Sequence, residues 1–115
     1  MKPLASVPVI SPKDRRLLLR VKHTIRRVIP SATVLLYGSS ARGERGPDSD
    51  YDLLILTDEA LSGQEAAAIE DAVYELELAH GVVLSTVVYT KHDWSAPLNA
   101  AMPFHQRVEE DAVLL

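Results

Sequence analysis

Two short stretches, LLYGSSARG (residues 35–43) and SDYDLLIL (residues 49–56), carry most of the information about the fold. The β-branched and apolar run from Thr33 to Tyr37 predicts a buried strand that ends at Gly38. A second strand is predicted from Tyr51 to Leu56 after a loop rich in glycine. Because the second run is apolar on both faces, the sheet is expected to be covered on both sides, or on one side by a partner.

The residues at the junctions of these stretches are of types that can bind phosphate and metal. Gly38 lets backbone N–H groups approach a phosphate closely, and the Ser39 hydroxyl can donate to a phosphate oxygen. Asp50 and Asp52 are two residues apart at the start of a strand, so their side chains point the same way with Cα atoms roughly 6.5–7 Å apart. Two carboxylates on one face can hold a hard divalent cation such as Mg²⁺. In the connecting loop, Arg42 and Arg45 could meet phosphate oxygens in a bidentate way.

Each of these features also has an ordinary structural explanation. Gly-Ser after a strand is a common turn, an Asp-x-Asp pair is often solvated, and loop arginines are often solvated too. The combination favours function, because like charges placed side by side repel unless a cation or a donor lies between them. Together the parts predict a site for a nucleoside triphosphate and a metal.

The rest of the chain predicts helices around these strands. Ser11, Pro12 and Asp14 mark a helix start, and that helix should end near Pro30. Ser62 and Glu65 fit a capping box. The remaining predictions are a helix stop at Gly81, a strand over Val82–Thr90, a turn or short helix over Lys91–Ala96, a helix within Pro97–Asp111, and an edge strand or packing tail over Val113–Leu115.

Length and composition restrict the chain to a single small unit. The 115 residues fit one domain, and 47% apolar with 24% charged residues is an ordinary globular composition. No cysteine is present, which excludes a disulfide framework, a thiolate metal site and a cysteine nucleophile, and suits a cytoplasmic location. No apolar run is long enough to span a membrane. Neither a P-loop motif nor a G-x-S-x-G motif is present.

The net charge of −4 conceals an asymmetry. Residues 1–30 carry eight Lys or Arg and one acid, which gives a net charge of +7. Residues 31–115 carry four Lys or Arg and fifteen acids, which gives a net charge of −11. The basic stripe on the first helix (Lys13, Arg16, Arg20, His23 and Arg27) is either a solvated helix face or a surface for RNA or an acidic partner. Nucleic acid is the less favoured partner, because few aromatic residues lie nearby to stack on bases.

The segment from Leu35 to Leu56 resembles the signature of the DNA-polymerase-β-like nucleotidyltransferase superfamily: a strand, then G-S-x-A-R-G, then S-D-x-D and a second strand. In size the chain is similar to minimal nucleotidyltransferases. The resemblance implies an α/β (α+β) nucleotidyltransferase fold with a small mixed β-sheet flanked by helices. The sequence itself predicts an N-terminal arm over residues 1–10, and the resemblance implies that residues 11–115 form a single nucleotidyltransferase domain.

The resemblance also implies roles for the motif residues. Gly38 and Ser39 would contact the triphosphate, Arg42 and Ser49 would shape the nucleotide-binding loop, and Asp50 and Asp52 would be the catalytic metal ligands. The implied reaction transfers a nucleoside monophosphate, with AMP favoured, from ATP or another NTP with Mg²⁺ or Mn²⁺ onto a hydroxyl of a separate acceptor. In similar minimal nucleotidyltransferases, which serve as antitoxins, that acceptor is a tyrosine of a HEPN-type partner toxin.

One departure from the family pattern leaves alternatives open. Active members usually carry a third carboxylate on the strand that corresponds to Val82–Thr90, where Ser85 or Thr86 stands here. The nearest later acid is Asp93. A catalytically degenerate module that binds nucleotide or a partner is therefore the second hypothesis, and RNA or antibiotic modification with a helper protein is the third. The sequence leaves a homodimer or a heteromeric complex open.

Overall fold

The computed structural model describes residues 1–8, 10–44 and 50–115. These residues form eleven elements of secondary structure, namely five strands, five α-helices and one short 3₁₀ turn at Leu4–Ser6. The strands and the α-helices are each numbered in chain order. The strands are β1 (Lys2–Pro3), β2 (Thr33–Tyr37), β3 (Tyr51–Thr57), β4 (Leu84–Thr90) and β5 (Val113–Leu114). The helices are α1 (Pro12–Val28), α2 (Gly63–His80), α3 (Lys91–Ser95), α4 (Pro97–Ala100) and α5 (Pro103–Asp111).

The helix boundaries that the sequence predicts are confirmed at both long helices. Ser11 caps α1, since its side chain accepts a hydrogen bond from the backbone N–H of Asp14. Ser62 and Glu65 form the reciprocal capping box of α2, which ends at Gly81 in the left-handed conformation. Among the described helices, none has the length and apolar character needed to cross a membrane.

The five strands form one mixed sheet in the order β1-β5-β2-β3-β4. β2 runs antiparallel to β3, whereas β3 and β4 are parallel and are joined through α2. The short β5 lies inside the sheet, because β1 pairs on its outer side and the Lys2 N–H donates to the Ala112 carbonyl. The prediction of an edge strand at Val113 is therefore wrong in position, since the first residues of the chain cover that edge.

Both faces of the sheet are covered by this chain's own elements. On one face Leu53 and Ile55 pack against residues of α1 and α2, and on the other Leu54 and Leu35 pack against Trp94 and residues of α5. The four strand residues are fully buried, which explains why β3 is apolar at successive positions. The predicted α/β architecture, a small mixed sheet flanked by helices, is confirmed.

Apolar residues of the first ten positions pack into the core. Leu4, Val7 and Ile10 are buried in the cluster on the α1 side. The Arg15 guanidinium donates to the backbone carbonyls of all three residues, which ties this segment to α1. The division into an arm and a single domain at residue 11 stays a prediction.

The helix predicted within Pro97–Asp111 is found as α5, and the same segment also holds the short helix α4. Met102 adopts an extended backbone conformation between α4 and α5. The cause is Pro103, because the residue before a proline is excluded from the helical region by its clash with the proline ring. The break turns α5 back over the sheet, where Val108 is buried beside Trp94.

Candidate functional site

The candidate site lies where β2 ends and β3 begins. In the sheet register Tyr37 pairs with Asp52, and Asp52 pairs with Ser85 of β4. Residues paired across strands project to the same face, so these three side chains form one row. Asp50, two residues before Asp52, shares that face, because the Ser85 hydroxyl lies 3.4 Å from Asp50 Oδ2. The two aspartates therefore lie on the same side of the sheet.

Gly38 brings the bend after β2 directly against Asp52. Its φ angle is +75°, and a β-carbon at this position would lie 2.6 Å from Asp52 Oδ2. Both facts require glycine, because an L-residue is strained at this φ and its side chain would displace the carboxylate. Gly38 and Asp52 are thus in direct contact, and Ser39, the next residue, is half-buried.

The bend is held in shape by its own backbone and by Ser40. The N–H groups of Ala41 and Arg42 donate to the Gly38 carbonyl, and the Glu44 N–H donates to the Ser39 carbonyl. The buried Ser40 hydroxyl donates to the backbone carbonyl of Asp50 at 3.0 Å. Ser40 thereby fixes the distance between the bend and the aspartates. Ser49 and Arg45, which the sequence analysis names in this loop, lie outside the described residues.

The electrostatics of the site disfavour negative charge in the absence of a ligand. Burial, and then the charge of Asp50, raise the pKa of Asp52 above its ordinary value. Burial, with Asp52 and Tyr89 as smaller causes, also raises the pKa of the Tyr37 hydroxyl. A divalent cation bound by both carboxylates would relieve this repulsion, and hard oxygen ligands are those that Mg²⁺ and Mn²⁺ prefer. The donor set therefore fits such a cation.

The Arg42 guanidinium is held by two ion pairs and does not extend freely into the bend. Its Nε lies 3.0 Å from Glu44 Oε2 and its Nη1 lies 2.6 Å from Asp111 Oδ2. Hydrogen bonds to Glu44 and Asp111 raise the pKa of the guanidinium. The side chain joins the bend to the end of α5, so a phosphate would have to compete with two carboxylates for it.

Among the described residues, no third carboxylate joins the aspartate pair. Ser85 occupies the position beside Asp52, whereas Thr86 pairs with Leu53 and belongs to the opposite face. Within residues 1–8, 10–44 and 50–115, no three His, Cys, Asp or Glu side chains are grouped closely enough to hold a metal ion. Asp93 therefore does not complete the pair.

Two residues of the site were not predicted from the sequence. Ser40 fixes Asp50, and Tyr37 flanks Asp52 on β2. Tyr37 could have been predicted from the alternation of side chains along β2. It is the last residue of β2, and in an antiparallel pair it faces the same side as the residue opposite it near the start of β3. No local signal distinguishes Ser40 from Ser39, because only the fold decides which hydroxyl turns inward.

Residues 15–112 match the family described as nucleotidyltransferase domain, which covers most of the chain. This chain belongs to that family. Two proteins of Methanocaldococcus jannaschii are similar in sequence. "Putative protein adenylyltransferase MJ0604" is 30% identical over 82 residues, which span 71% of this chain and 75% of that protein. "Putative protein adenylyltransferase MJ0141" is 34% identical over 58 residues, half of this chain and 59% of that protein.

Solved structures share the fold. A structure described as a "putative minimal nucleotidyltransferase" is 26% identical with a TM-score of 0.57, over 88% of this chain and 94% of that one. A chain of a toxin–antitoxin complex with AMP-PNP is 19% identical with a TM-score of 0.59, and the match covers 88% of this chain and 71% of that one. A chain of a complex between a tri-AMPylated Shewanella oneidensis HEPN toxin and an MNT antitoxin is 18% identical with a TM-score of 0.55. The match covers 87% of this chain and 69% of that one. The last two likenesses establish the fold alone.

Proposed function

We propose that this nucleotidyltransferase domain transfers AMP from ATP to a hydroxyl group of a separate protein. The acceptor oxygen attacks the α-phosphorus, the bond from that phosphorus to the bridging oxygen of the β-phosphate breaks, and pyrophosphate leaves. The hydroxyl proton is released to water. The product is a phosphodiester between AMP and the acceptor.

The observation that carries this proposal is the position of Asp50 and Asp52 beside the Gly38–Ser39 bend. The carboxylates lie on one face, and Asp52 touches Gly38 with no side chain between them. A triphosphate seated on the bend would place its oxygens next to both carboxylates.

Each proposed role follows from the chemistry of the side chain. Asp50 and Asp52 would hold Mg²⁺ or Mn²⁺, and the backbone of Gly38 with the Ser39 hydroxyl would bind the triphosphate. A divalent cation there would neutralise phosphate charge and favour the deprotonated form of the acceptor hydroxyl. Arg42 and Ser49 would complete the nucleotide-binding loop. The aspartates would act chiefly by positioning and charge, as in other phosphoryl transfers.

For the acceptor we propose a tyrosine hydroxyl of a HEPN-type protein, with this chain as its antitoxin. Support comes from the sequence relatives, which are named for protein adenylyltransfer, and from the fold neighbours, one of which accompanies a tri-AMPylated HEPN toxin. The chain spans 59% of the first of those relatives, so their activity as whole proteins is itself part of the proposal.

A second candidate function is a degenerate module that binds nucleotide or a partner without transfer. Ser85 favours it, because a neutral hydroxyl beside Asp52 binds Mg²⁺ weakly and does not remove a proton from an alcohol at neutral pH. In this case the chain would neutralise its partner by contact alone.

The two candidates are separated by an assay of label transfer. The purified chain is incubated with ATP labelled on the α-phosphate, Mg²⁺ or Mn²⁺, and the protein encoded beside it. The proposed function predicts labelled partner protein with the wild type and none with Asp50→Asn or Asp52→Asn. ATP binding without any labelled product would instead establish the module.

A further inference from the structure

A groove between α1 and α2 is separate from the aspartate site. One part of it, about 680 Å³, is lined by Arg16, Arg20 and Arg27 of α1 and by Leu76 and His80 of α2. A second part, about 800 Å³, continues to Tyr51 and Gly81 at the start of β3 and the end of α2. Arg16, Arg20 and His80 line both parts, so the two form one continuous groove.

Within residues 1–8, 10–44 and 50–115, the arginines of this groove form no ion pair. In the described part of the chain no carboxylate lies within ion-pair distance of Arg16, Arg20 or Arg27. Two other arginines of α1 differ from them, since Arg15 donates to three backbone carbonyls and Arg26 donates to the Pro30 carbonyl. Arg15 and Arg26 are therefore occupied by contacts within the chain, whereas the groove arginines can meet an external partner.

The groove is apolar as well as basic. Leu19 lines it and is 41% exposed, and the half-buried Ala72 and exposed Ala79 of α2 add apolar surface. A surface with apolar side chains between cations complements a helix that carries leucines on one stripe and carboxylates beside it. Charge and apolar contact then act in the same place.

We propose that this groove docks an acidic amphipathic helix of a partner protein. Nucleic acid is disfavoured, because the lining offers few aromatic rings on which bases could stack. Tyr51 is the aromatic residue of the lining, and its hydroxyl donates to Asp14 at 2.6 Å. The strong acidity of residues 31–115 also works against a polyanion that extends beyond the groove.

The test measures the fluorescence anisotropy of a labelled 16-residue probe of Leu, Ala and Glu with leucines at helical spacing. The paired substitution Arg16→Ala with Arg20→Ala should weaken binding about tenfold, since two exposed ion pairs are lost. The matched control, Lys22→Ala with Arg26→Ala, removes the same charge from the flank of α1 outside the groove and should leave binding unchanged. Asp50→Asn with Asp52→Asn should also leave it unchanged, so the result is independent of nucleotidyl transfer.

Three further probes decide which chemistry the groove recognises. Replacing every Glu of the probe by Gln, or scrambling its order, should abolish binding. Equal binding of the scrambled probe, or equal loss in both paired variants, would overturn the proposal. Tighter binding of a single-stranded RNA would overturn it in favour of nucleic acid. If sedimentation shows a dimer of the wild type that the paired variant Arg16→Ala with Arg20→Ala dissociates, the groove binds a second copy of this chain. That result would overturn the proposal.

Discussion

Gly38 and Asp52 are packed so closely that a single β-carbon on Gly38 would lie 2.6 Å from the Asp52 carboxylate. The contact joins the end of β2 to the start of β3, and it makes the shape of the bend depend on the position of one oxygen. A substitution at either residue is therefore expected to displace the other.

Gly38→Ala should impair both folding and function. The left-handed φ alone costs about 1–2 kcal/mol for an L-residue, and the added carbon displaces the carboxylate. A displacement of about 1 Å at a reacting group can lower the transfer rate about 10²-fold. Chemical denaturation and the label-transfer assay measure the two effects.

Gly81→Ala is the matched control for this substitution. Gly81 also has a left-handed φ, +63°, but a β-carbon there would meet nothing within 4 Å. We expect a loss of stability of about 1 kcal/mol with ATP binding unchanged. Equal effects of the two variants on ATP binding would show that the contact with Asp52 has no functional role.

Asp52→Asn should stabilise the ligand-free protein at neutral pH. Because burial and Asp50 raise the Asp52 pKa in the folded state, the folded protein binds a proton more tightly than the unfolded chain does. The ionised carboxylate therefore opposes folding above the ordinary pKa of 3.8, and the gain from Asn should vanish as the pH falls through that value. Thermal unfolding between pH 3 and pH 8 measures the difference.

Asp58→Asn provides a control of opposite sign. Lys91 and Ser31 lower the pKa of the Asp58 carboxyl, so its ionised form favours the folded state. The substitution should lower the melting temperature slightly at neutral pH and have no effect at low pH. A higher melting temperature from Asp58→Asn, or a lower one from Asp52→Asn, would contradict this electrostatic account.

Ser85→Asp should place a third carboxylate beside Asp50 and Asp52. The register places residue 85 beside Asp52, and its hydroxyl already reaches Asp50. We expect tighter Mn²⁺ binding and faster AMP transfer, together with lower stability without metal because three like charges then share one face. Ser85→Asn is the neutral control. If Ser85→Asp lowers Mn²⁺ affinity, residue 85 does not occupy the proposed third position.

Asp111→Asn should strengthen ATP binding if the Arg42 guanidinium meets the triphosphate. Removal of the carboxylate 2.6 Å from Nη1 frees one edge of the guanidinium for a phosphate oxygen. Arg42→Ala should weaken ATP binding, and the double variant should bind like Arg42→Ala alone. Unchanged affinity in all three, measured by calorimetry, would assign Arg42 a purely structural role.

The sequence predicted local elements well, because their signals are local. The caps of α1 and α2 and the extent of β2 follow from a few neighbouring side chains and are found as expected. The pairing of β1 with β5 was not predictable, since a two-residue strand carries no periodicity and depends on contacts between opposite ends of the chain.

For the site, the sequence indicated which residues to consider but not how they meet. The spacing of Asp50 and Asp52 fixes their common face, whereas the placement of Ser85 rather than Thr86 beside them depends on the register of parallel strands. The ion pair of Arg42 with Asp111 joins residues 69 positions apart. No pattern along the chain encodes a contact of that kind.

The central claim is that Asp50, Asp52 and the Gly38–Ser39 bend form one cradle for a magnesium-bound triphosphate. Calorimetric titration of the wild type and of Asp50→Asn with Asp52→Asn, each with ATP in Mg²⁺ and again in EDTA, tests it most directly. The account predicts binding by the wild type only with Mg²⁺, and none by the double variant. Equal ATP affinity of the two proteins in Mg²⁺ would contradict it.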